Sequence, residues 1–369
     1  VKLRKFLSEA AFKYKLGMQE LVYRPALSWA EYFRFSVISG MARSHILRSV
    51  RSYVRSYFKD PRLVALMEFP VLFLGAMPQH IPALYTLMNH AALSQGTFYP
   101  MGGMFKIVEA MESLARSLGV RFETGCEVEK ILVENGSSTG LRTSGGILLS
   151  DGIIAAADYH HVESKLLDAQ YRNYPEEYWA KKTFAPSCLI FYLGVNKRIP
   201  RLQHHNLFFD TDFEMHSREI YENPKWPEQP LFYACCPSKT DPSVAPEGME
   251  NLFLLVPVAT HLEDSEAIRE RYFEPLIRRM EKICGEPILE HIVYKKSYSV
   301  DNFISDYNAY GGNAYGLANT LRQTAVLKPS VRNLKISNLI YSGQLTVPGP
   351  GVPPALISGA IAAGQLHSV

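Results

Sequence analysis

The five cysteines, Cys126, Cys188, Cys235, Cys236 and Cys284, form neither a CxxC pair nor a zinc-ligand spacing. Metal chemistry is therefore not expected, and reduced thiols in a cytosolic compartment are. Excess charge of one sign is also missing. With 39 basic and 36 acidic residues the formal net charge is +3, too small to argue for nucleic acid. No uninterrupted apolar run reaches the ~18 residues of a membrane-spanning helix, and the start is too rich in lysine for a secretory signal. Repeats and low-complexity segments are lacking too. The first residue is Val1 rather than Met, so the chain is expected to be the remainder of something longer.

What is present is enough for a sizeable core: 369 residues, 47% of them hydrophobic and 20% charged, fit two domains or one large domain with insertions. Residues 3–21 carry Leu3, Phe6, Leu7, Ala10, Tyr14 and Met18 at helical spacing until Pro25 stops the run. The spacing predicts a second helix over 43–59. Its apolar set is Ile46, Leu47, Val50, Tyr53, Val54, Tyr57 and Phe58, and Arg43, Arg48, Arg51, Arg55 and Lys59 fill the gaps. Such a basic amphipathic helix fits an ordinary solvated face or a face resting on anionic lipid. In 63–87, Met67, Phe69, Val71, Leu72, Phe73, Leu74, Met77, Ile81 and Leu84 leave few polar positions, and Pro70, Pro78 and Pro82 break the run into short pieces. This stretch fits buried core or the lining of an oily tunnel.

Glycine turns dominate the rest. Tyr99-Pro100-Met101-Gly102-Gly103-Met104 opens a helix with Ile107, Val108, Met111, Leu114, Ala115 and Leu118 on one face. Strands are predicted at 120–123 and 126–133, Asn135-Gly136 reads as a hairpin turn, and Ile153-Ile154-Ala155-Ala156-Ala157-Asp158 ends a strand in small residues. From Ser187 longer strands follow at 188–195, 206–209, 230–235 and 251–258, with a charged helix over 265–283, which suggests a mostly antiparallel sheet. His160-His161 and His204-His205 are not expected to bind metal, because sequence neighbours on a strand point apart. Gly311-Gly312-Asn313-Ala314-Tyr315-Gly316 forms an aromatic, glycine-bearing loop that lacks GxGxxG spacing. Near the end, Leu339-Ile340-Tyr341 reads as a buried strand. Gly343–Pro353 forces a turn, and Pro354 suits the first turn of a helix through Ala355, Ile357, Ala360 and Ile361. A helix entered this way aims free N–H groups and its positive dipole end at the turn, where an anion or an electron-rich ring could be held.

Five blocks in order resemble one family: YPMGGM at 99–104, GVRFETGCEVEKI at 119–131, SDGIIAAAD at 150–158, GNAYGLANTLRQTAVLKP at 312–329 and GQLTVPGPGVPPALISG at 343–359. They are similar to the carotenoid desaturases of the phytoene dehydrogenase type, in the glutathione-reductase/amine-oxidase superclass of FAD proteins. The resemblance implies a mixed α/β fold, with an FAD-binding domain (96–186 and 330–369) interleaved with a substrate and membrane-association domain (1–95 and 187–329). The family's strand, GxGxxG and helix should precede residue 1. Without that unit this stretch is expected to hold FAD poorly.

By position, Val128 matches the strand that presents its backbone to the adenine, and Ala155 and Ala156 match the strand end near the pyrophosphate. Gly343 and Gln344 match the turn near the phosphate and ribityl chain, and Gly351, Val352 and Pro353 the turn under the flavin ring. Gly102 and Gly103 match the segment opposite the ring, with Tyr315 and Gly316 also on the substrate side. The implied reaction moves a hydride from an allylic CH₂ of a long isoprenoid chain to flavin while a proton leaves the neighbouring carbon. It demands no strong base. Asp301, Asp306 and Glu68 are candidate proton acceptors, though each also suits a surface or capping role. The substrate would be phytoene, converted towards lycopene, at the cytoplasmic face of the cell membrane, with quinone or oxygen as electron acceptor. The rival readings are a desaturase or saturase of another carotenoid or a retinoid, and an inactive membrane-associated relative.

Overall fold

The computed structural model describes residues 1–368, except for the side chains of Leu72 and Phe73. The chain falls into two compact units. The first joins Val1–Thr97, Gly125–Ala185 and Tyr307–Val369, and the second joins Phe98–Thr124 and Pro186–Asp306. This division departs from the expected one. Residues 1–97 fall in one unit with 125–185 and 307–369, and Phe6, Val50, Tyr53 and Ile81 share a core with Ala318 of the closing segment. Residues 98–124 instead belong with the longer strands.

In chain order the strands are β1 (Val128–Glu134), β2 (Ser137–Thr143), β3 (Gly146–Leu149), β4 (Ile153–Ala155), β5 (Ser187–Val195), β6 (His205–Phe208), β7 (Phe232–Cys235), β8 (Glu250–Val258), β9 (Ile292–Tyr298) and β10 (Leu339–Tyr341). In the first unit β1, β2 and β3 form an antiparallel meander. Its first corner is the expected Asn135-Gly136 turn, where both residues take positive φ (49° and 77°), as the tight primed turns require. Beside it β4 and β10 pair in parallel, with Leu339 opposite Ile153 and Tyr341 opposite Ala155. Ile131, Ile153, Leu339, Tyr341 and Trp179 are buried in one core beneath these strands.

The helical stretch of this unit follows the apolar spacing with one break. A helix runs over Lys2–Leu16, and a wide turn extends it to Leu21. The helix predicted over 43–59 is split instead: one helix ends at Arg43 and another covers Val50–Tyr57. His45 takes a positive φ of 59°, Ser49 caps the second helix, and the intervening backbone bonds outward through Val50 N to Ile81 O and Ala83 N to Arg48 O. Tertiary hydrogen bonds here outweigh helix continuity. Met67, Val71, Leu74, Met77, Ile81 and Leu84 are buried, which favours the core reading of 63–87. Of the residues expected there, Leu72 and Phe73 lie outside the described side chains.

The second unit is built on an antiparallel five-stranded sheet in the order β6-β7-β8-β5-β9. The strands expected from 188 onward are present, and β9 joins them. Helix Glu266–Cys284 backs the sheet, capped by Ser265 Oγ at its start and closed by Gly285 in the left-handed region. Phe273, Leu276, Ile277 and Met280 from this helix are buried against Phe191, Leu254 and Val256 of the sheet. Helix Phe105–Ser117 forms as its spacing predicts, but its apolar side is open: Val108, Met111 and Leu114 are exposed. Residues 120–123 have no strand pairing among the described residues.

Candidate functional site

Parallel pairing of β4 and β10 brings their carboxyl ends side by side, the place where open α/β sheets bind ligands. Ala155 and Ala156 end one strand and Ser342, Gly343 and Gln344 leave the other. Ser342 N donates to Ala155 O at 3.0 Å, so the two chain ends stay in register beyond the sheet. Ser358, buried inside helix Val352–Leu366, accepts from Gly343 N at 2.9 Å and lies 3.1 Å from Thr346 Oγ1. Thr346 Oγ1 in turn donates to Gly343 O at 3.0 Å. The turn is thereby tied to the helix it precedes.

The glycine-bearing loop docks onto this turn. Asn313 Oδ1 accepts from Gly316 N at 2.9 Å and from Gln344 Nε2 at 3.1 Å. Gly316 has φ +70°, and a Cβ there would meet Gln344 O at 2.6 Å, so only glycine fits. Asp158 reaches the same loop: it accepts from His161 N at 3.1 Å and from Tyr310 N at 3.3 Å, and burial raises its pKa. Three of the blocks singled out in the sequence therefore converge at one place.

The closing helix starts at Val352, two residues earlier than expected, with Gly351 as its cap residue. Ala355 N bonds to Gly351 O at 2.9 Å. Its first turn contains Pro353 and Pro354, which carry no N–H. The expectation of several free N–H groups aimed at the turn is corrected accordingly. The helix offers its dipole but few donors. Gly349 and Gly351 have φ of +129° and +115°. A Cβ on Gly349 would lie 3.4 Å from both Asn319 Oδ1 and Lys328 Nζ, two buried atoms without a hydrogen-bond partner among the described residues.

The structure thus brings together Ala155, Ala156, Gly343, Gln344 and Gly316, with Gly351, Val352 and Pro353 at the exposed end of the same turn. Tyr315 is half-buried beside Gly316. Val128 begins β1 opposite Thr143 and packs against the core under β4 and β10. Gly102 and Gly103 belong to the second unit. There Gly102 N donates to Asp241 Oδ2 at 2.6 Å, and Tyr99 stacks edge-on to His204 at 4.7 Å. His204 lies outside β6, so strand alternation does not separate it from His205. One donor atom each from His204, His205 and Cys235 falls within 4.8 Å of the others.

Of the candidate proton acceptors, Asp306 accepts from Tyr298 Oη at 2.9 Å, and Asp301 sits in the first turn of an exposed helix. Glu68 is neither surface nor cap: it is buried and paired with Arg55 at 3.2 Å. A network beneath β10 has no signature in the sequence. Tyr341 Oη donates to Glu163 Oε1 at 3.0 Å, and Asn333 Nδ2 donates to Tyr341 Oη at 2.9 Å. Glu163 also accepts from the backbone of Asn173 and Tyr174. Burial raises its pKa.

A small-residue strand end and glycine turns thus meet beside buried polar atoms, an arrangement that fits a flavin-binding oxidoreductase. The chain belongs to the flavin-containing amine oxidoreductase family, whose model matches residues 7–367, and FAD is its cofactor. Within that family it is similar to carotenoid desaturases. It is 38% identical to the carotenoid 3,4-desaturase of Haloarcula japonica, over 96% of this chain and 72% of that protein. It is 32% identical to the zeta-carotene-forming phytoene desaturase of Myxococcus xanthus, over 98% of this chain and 70% of that one. Among solved structures, a redesigned putrescine oxidase superimposes with a TM-score of 0.60 at 11% identity, over 100% of this chain and 75% of that one. An oxidoreductase of Methanosarcina mazei gives 0.56 at 17% identity, over 90% and 72%. These two likenesses concern the fold alone.

Proposed function

We propose that this chain is the catalytic part of an FAD-dependent desaturase that inserts a double bond into an acyclic C40 carotenoid, converting phytoene towards lycopene. The observation that carries the reading is the junction of β4, β10 and the Gly343–Pro353 turn, where the residues matched to the flavin site meet. FAD, when bound, supplies the hydride acceptor. Ala155, Ala156, Gly343 and Gln344 would hold its phosphate and ribityl portion, and Gly351, Val352 and Pro353 would lie at the ring. The protein's own work is placement and exclusion of water. Ser358 and Thr346 fix the turn, Gly316 fixes Gln344, and buried Val347, Leu345 and Ile357 form a dry wall behind it. The allylic position of the departing hydride spreads positive charge over the neighbouring alkenes, so a weak acceptor suffices for the proton.

A second reading is desaturation at the 3,4 position, supported by the 38% identity with an enzyme of that name. Expression of the complete reading frame in phytoene-accumulating and in lycopene-accumulating bacteria separates the two. New, longer-wavelength polyenes from phytoene alone would support the first reading, and products from lycopene alone the second. Unchanged pigment in both hosts would defeat the desaturase proposal.

The substrate dissolves in lipid, so we place the enzyme peripherally on the cytoplasmic membrane face, with quinone or oxygen reoxidising the flavin. No described helix is long and apolar enough to cross a membrane. Support for surface contact comes from Trp29, Phe33, Phe35 and Leu47, which are 55%, 74%, 85% and 89% exposed. The basic helix supports it less than expected, since Arg55 pairs with Glu68 and Arg48 lies over the Tyr53 ring. Flotation with anionic liposomes should recover the protein in the lipid fraction, and Phe33→Ser with Phe35→Ser should reduce recovery severalfold. A wild type left at the bottom of the gradient would refute membrane association.

A further inference from the structure

Lys328 and Asn319 are buried, at 4% and 3% exposure, and they meet at Gly349. Neither Lys328 Nζ nor Asn319 Oδ1 has a hydrogen-bond partner among the described residues. Burial, helped by the charge of Lys182, pushes the Lys328 pKa down to about 8. A buried ammonium with only another cation for company is costly, and such groups persist where a ligand completes them. The ligand must supply acceptors and tolerate or carry negative charge. A carotenoid hydrocarbon has neither property. A flavin has both, in the carbonyl oxygens of its pyrimidine ring and in the charge that ring takes up on reduction. The closing helix makes the need sharper, because Pro353 and Pro354 remove donors that a helix start would otherwise offer.

We propose that Lys328, assisted by Asn319, forms the polar cradle for the carbonyl edge of the flavin ring and balances the negative charge of its reduced form. Gly349 borders both groups closely: a Cβ at that position, where φ is +129°, would start 3.4 Å from each of them. The inference rests on the flavin reading above and adds the residue that supplies the positive charge.

The test uses protein expressed from the complete reading frame, comparing wild type with Lys328→Met, Lys328→Arg and Asn319→Ala. Sulfite adds to oxidised flavin and places negative charge on the same ring edge, so its affinity reads the cradle without turnover. Lys328→Met should weaken sulfite binding by roughly ten- to a hundredfold, the range for a hydrogen bond to a charged group, and Lys328→Arg should restore most of it. Asn319→Ala should give a smaller loss and remains informative if the lysine variant folds poorly. Thermal melting supplies a second readout. Without FAD, Lys328→Met should melt at or above the wild-type temperature, because it removes an unpaired buried charge, yet it should gain less from added FAD. Equal sulfite affinity and an equal FAD-dependent gain in wild type and Lys328→Met would overturn the inference while leaving the flavin reading standing. A wild type that takes up no FAD would overturn both.

Discussion

Two buried charges, one in each unit, show opposite solutions to the same problem. Glu250 in the five-stranded sheet unit is 1% exposed and fully served. Lys239 and Arg198 pair with it, Ser238 Oγ and Cys236 Sγ donate to it, and the backbone N–H of Ile199 completes the set. Burial would raise its pKa, but Lys239, Ser238 and Cys236 overcome that and hold it low. Lys328 in the first unit is nearly as buried and has no hydrogen-bond partner among the described residues. The contrast separates a charge that belongs to the fold from one left open to a ligand. Substitutions in the sheet unit should therefore cost stability and spare the flavin, and substitutions around the Gly343–Pro353 turn should do the reverse.

The largest effect is expected at Glu250. Glu250→Ala strands Lys239 and four further donors and should lower unfolding free energy by roughly 3–5 kcal/mol, measured by urea denaturation, with the visible flavin spectrum of surviving folded protein unchanged. Loss of flavin in step with a small stability change would break the comparison.

His216 gives the sheet unit a pH signature. Its Nδ1 accepts from Leu231 N at 3.1 Å and its Nε2 donates to Pro257 O at 2.9 Å, so the neutral ring is built into the structure. Burial drives its pKa down to about 4. The unfolded chain binds the proton more readily, so this contribution is complete above about pH 6.5 and is lost as pH falls towards 4, an effect of about 3 kcal/mol. Urea midpoints at pH 7 and pH 4.5 should differ for wild type and converge for His216→Phe, apart from the general acid sensitivity both share. A His216→Phe profile as steep as wild type would contradict the assignment.

The smallest effect on stability and the sharpest on cofactor should come from Gly316→Ala. The new methyl would displace Gln344 and add strain of roughly 1–3 kcal/mol, while absorbance near the flavin bands should largely disappear. Gly351→Val should behave alike, because φ of +115° disfavours a branched side chain and its Cβ would sit 3.3 Å from Pro354 Cδ. Retained flavin in both variants would refute the placement of the ring turn.

Local chemistry made much of this readable in advance. Leu339–Tyr341 and the glycines and prolines that follow allow little besides strand, turn and helix, and Asn135-Gly136 forms the hairpin corner that its φ preferences dictate. The site blocks were legible as motifs. What escaped was set by distant partners. The 43–59 periodicity is intact, yet hydrogen bonds from residues 78–83 break the helix. Alternation at 120–123 is real, but alternation alone does not provide a neighbouring strand. Glu163, Asn333 and Asn319 carry no spacing that predicts burial. Lys328 lies inside a recognised block, but a lysine in sequence reads as a surface residue until the fold closes around it.

The approach of Gly316 to Gln344 has a mechanical consequence. With 2.6 Å between Gln344 O and the site of a missing methyl, and Asn313 Oδ1 gripping Gly316 N and the Gln344 side chain at once, there is no slack between loop and turn. The two segments behave as one stiff part, hinged to the rest through Asp158 and Tyr310. A shift imposed anywhere along 310–316 would tilt the turn proposed to carry the cofactor. Sequence change in that loop would thus retune the proposed site without any altered residue belonging to the turn itself.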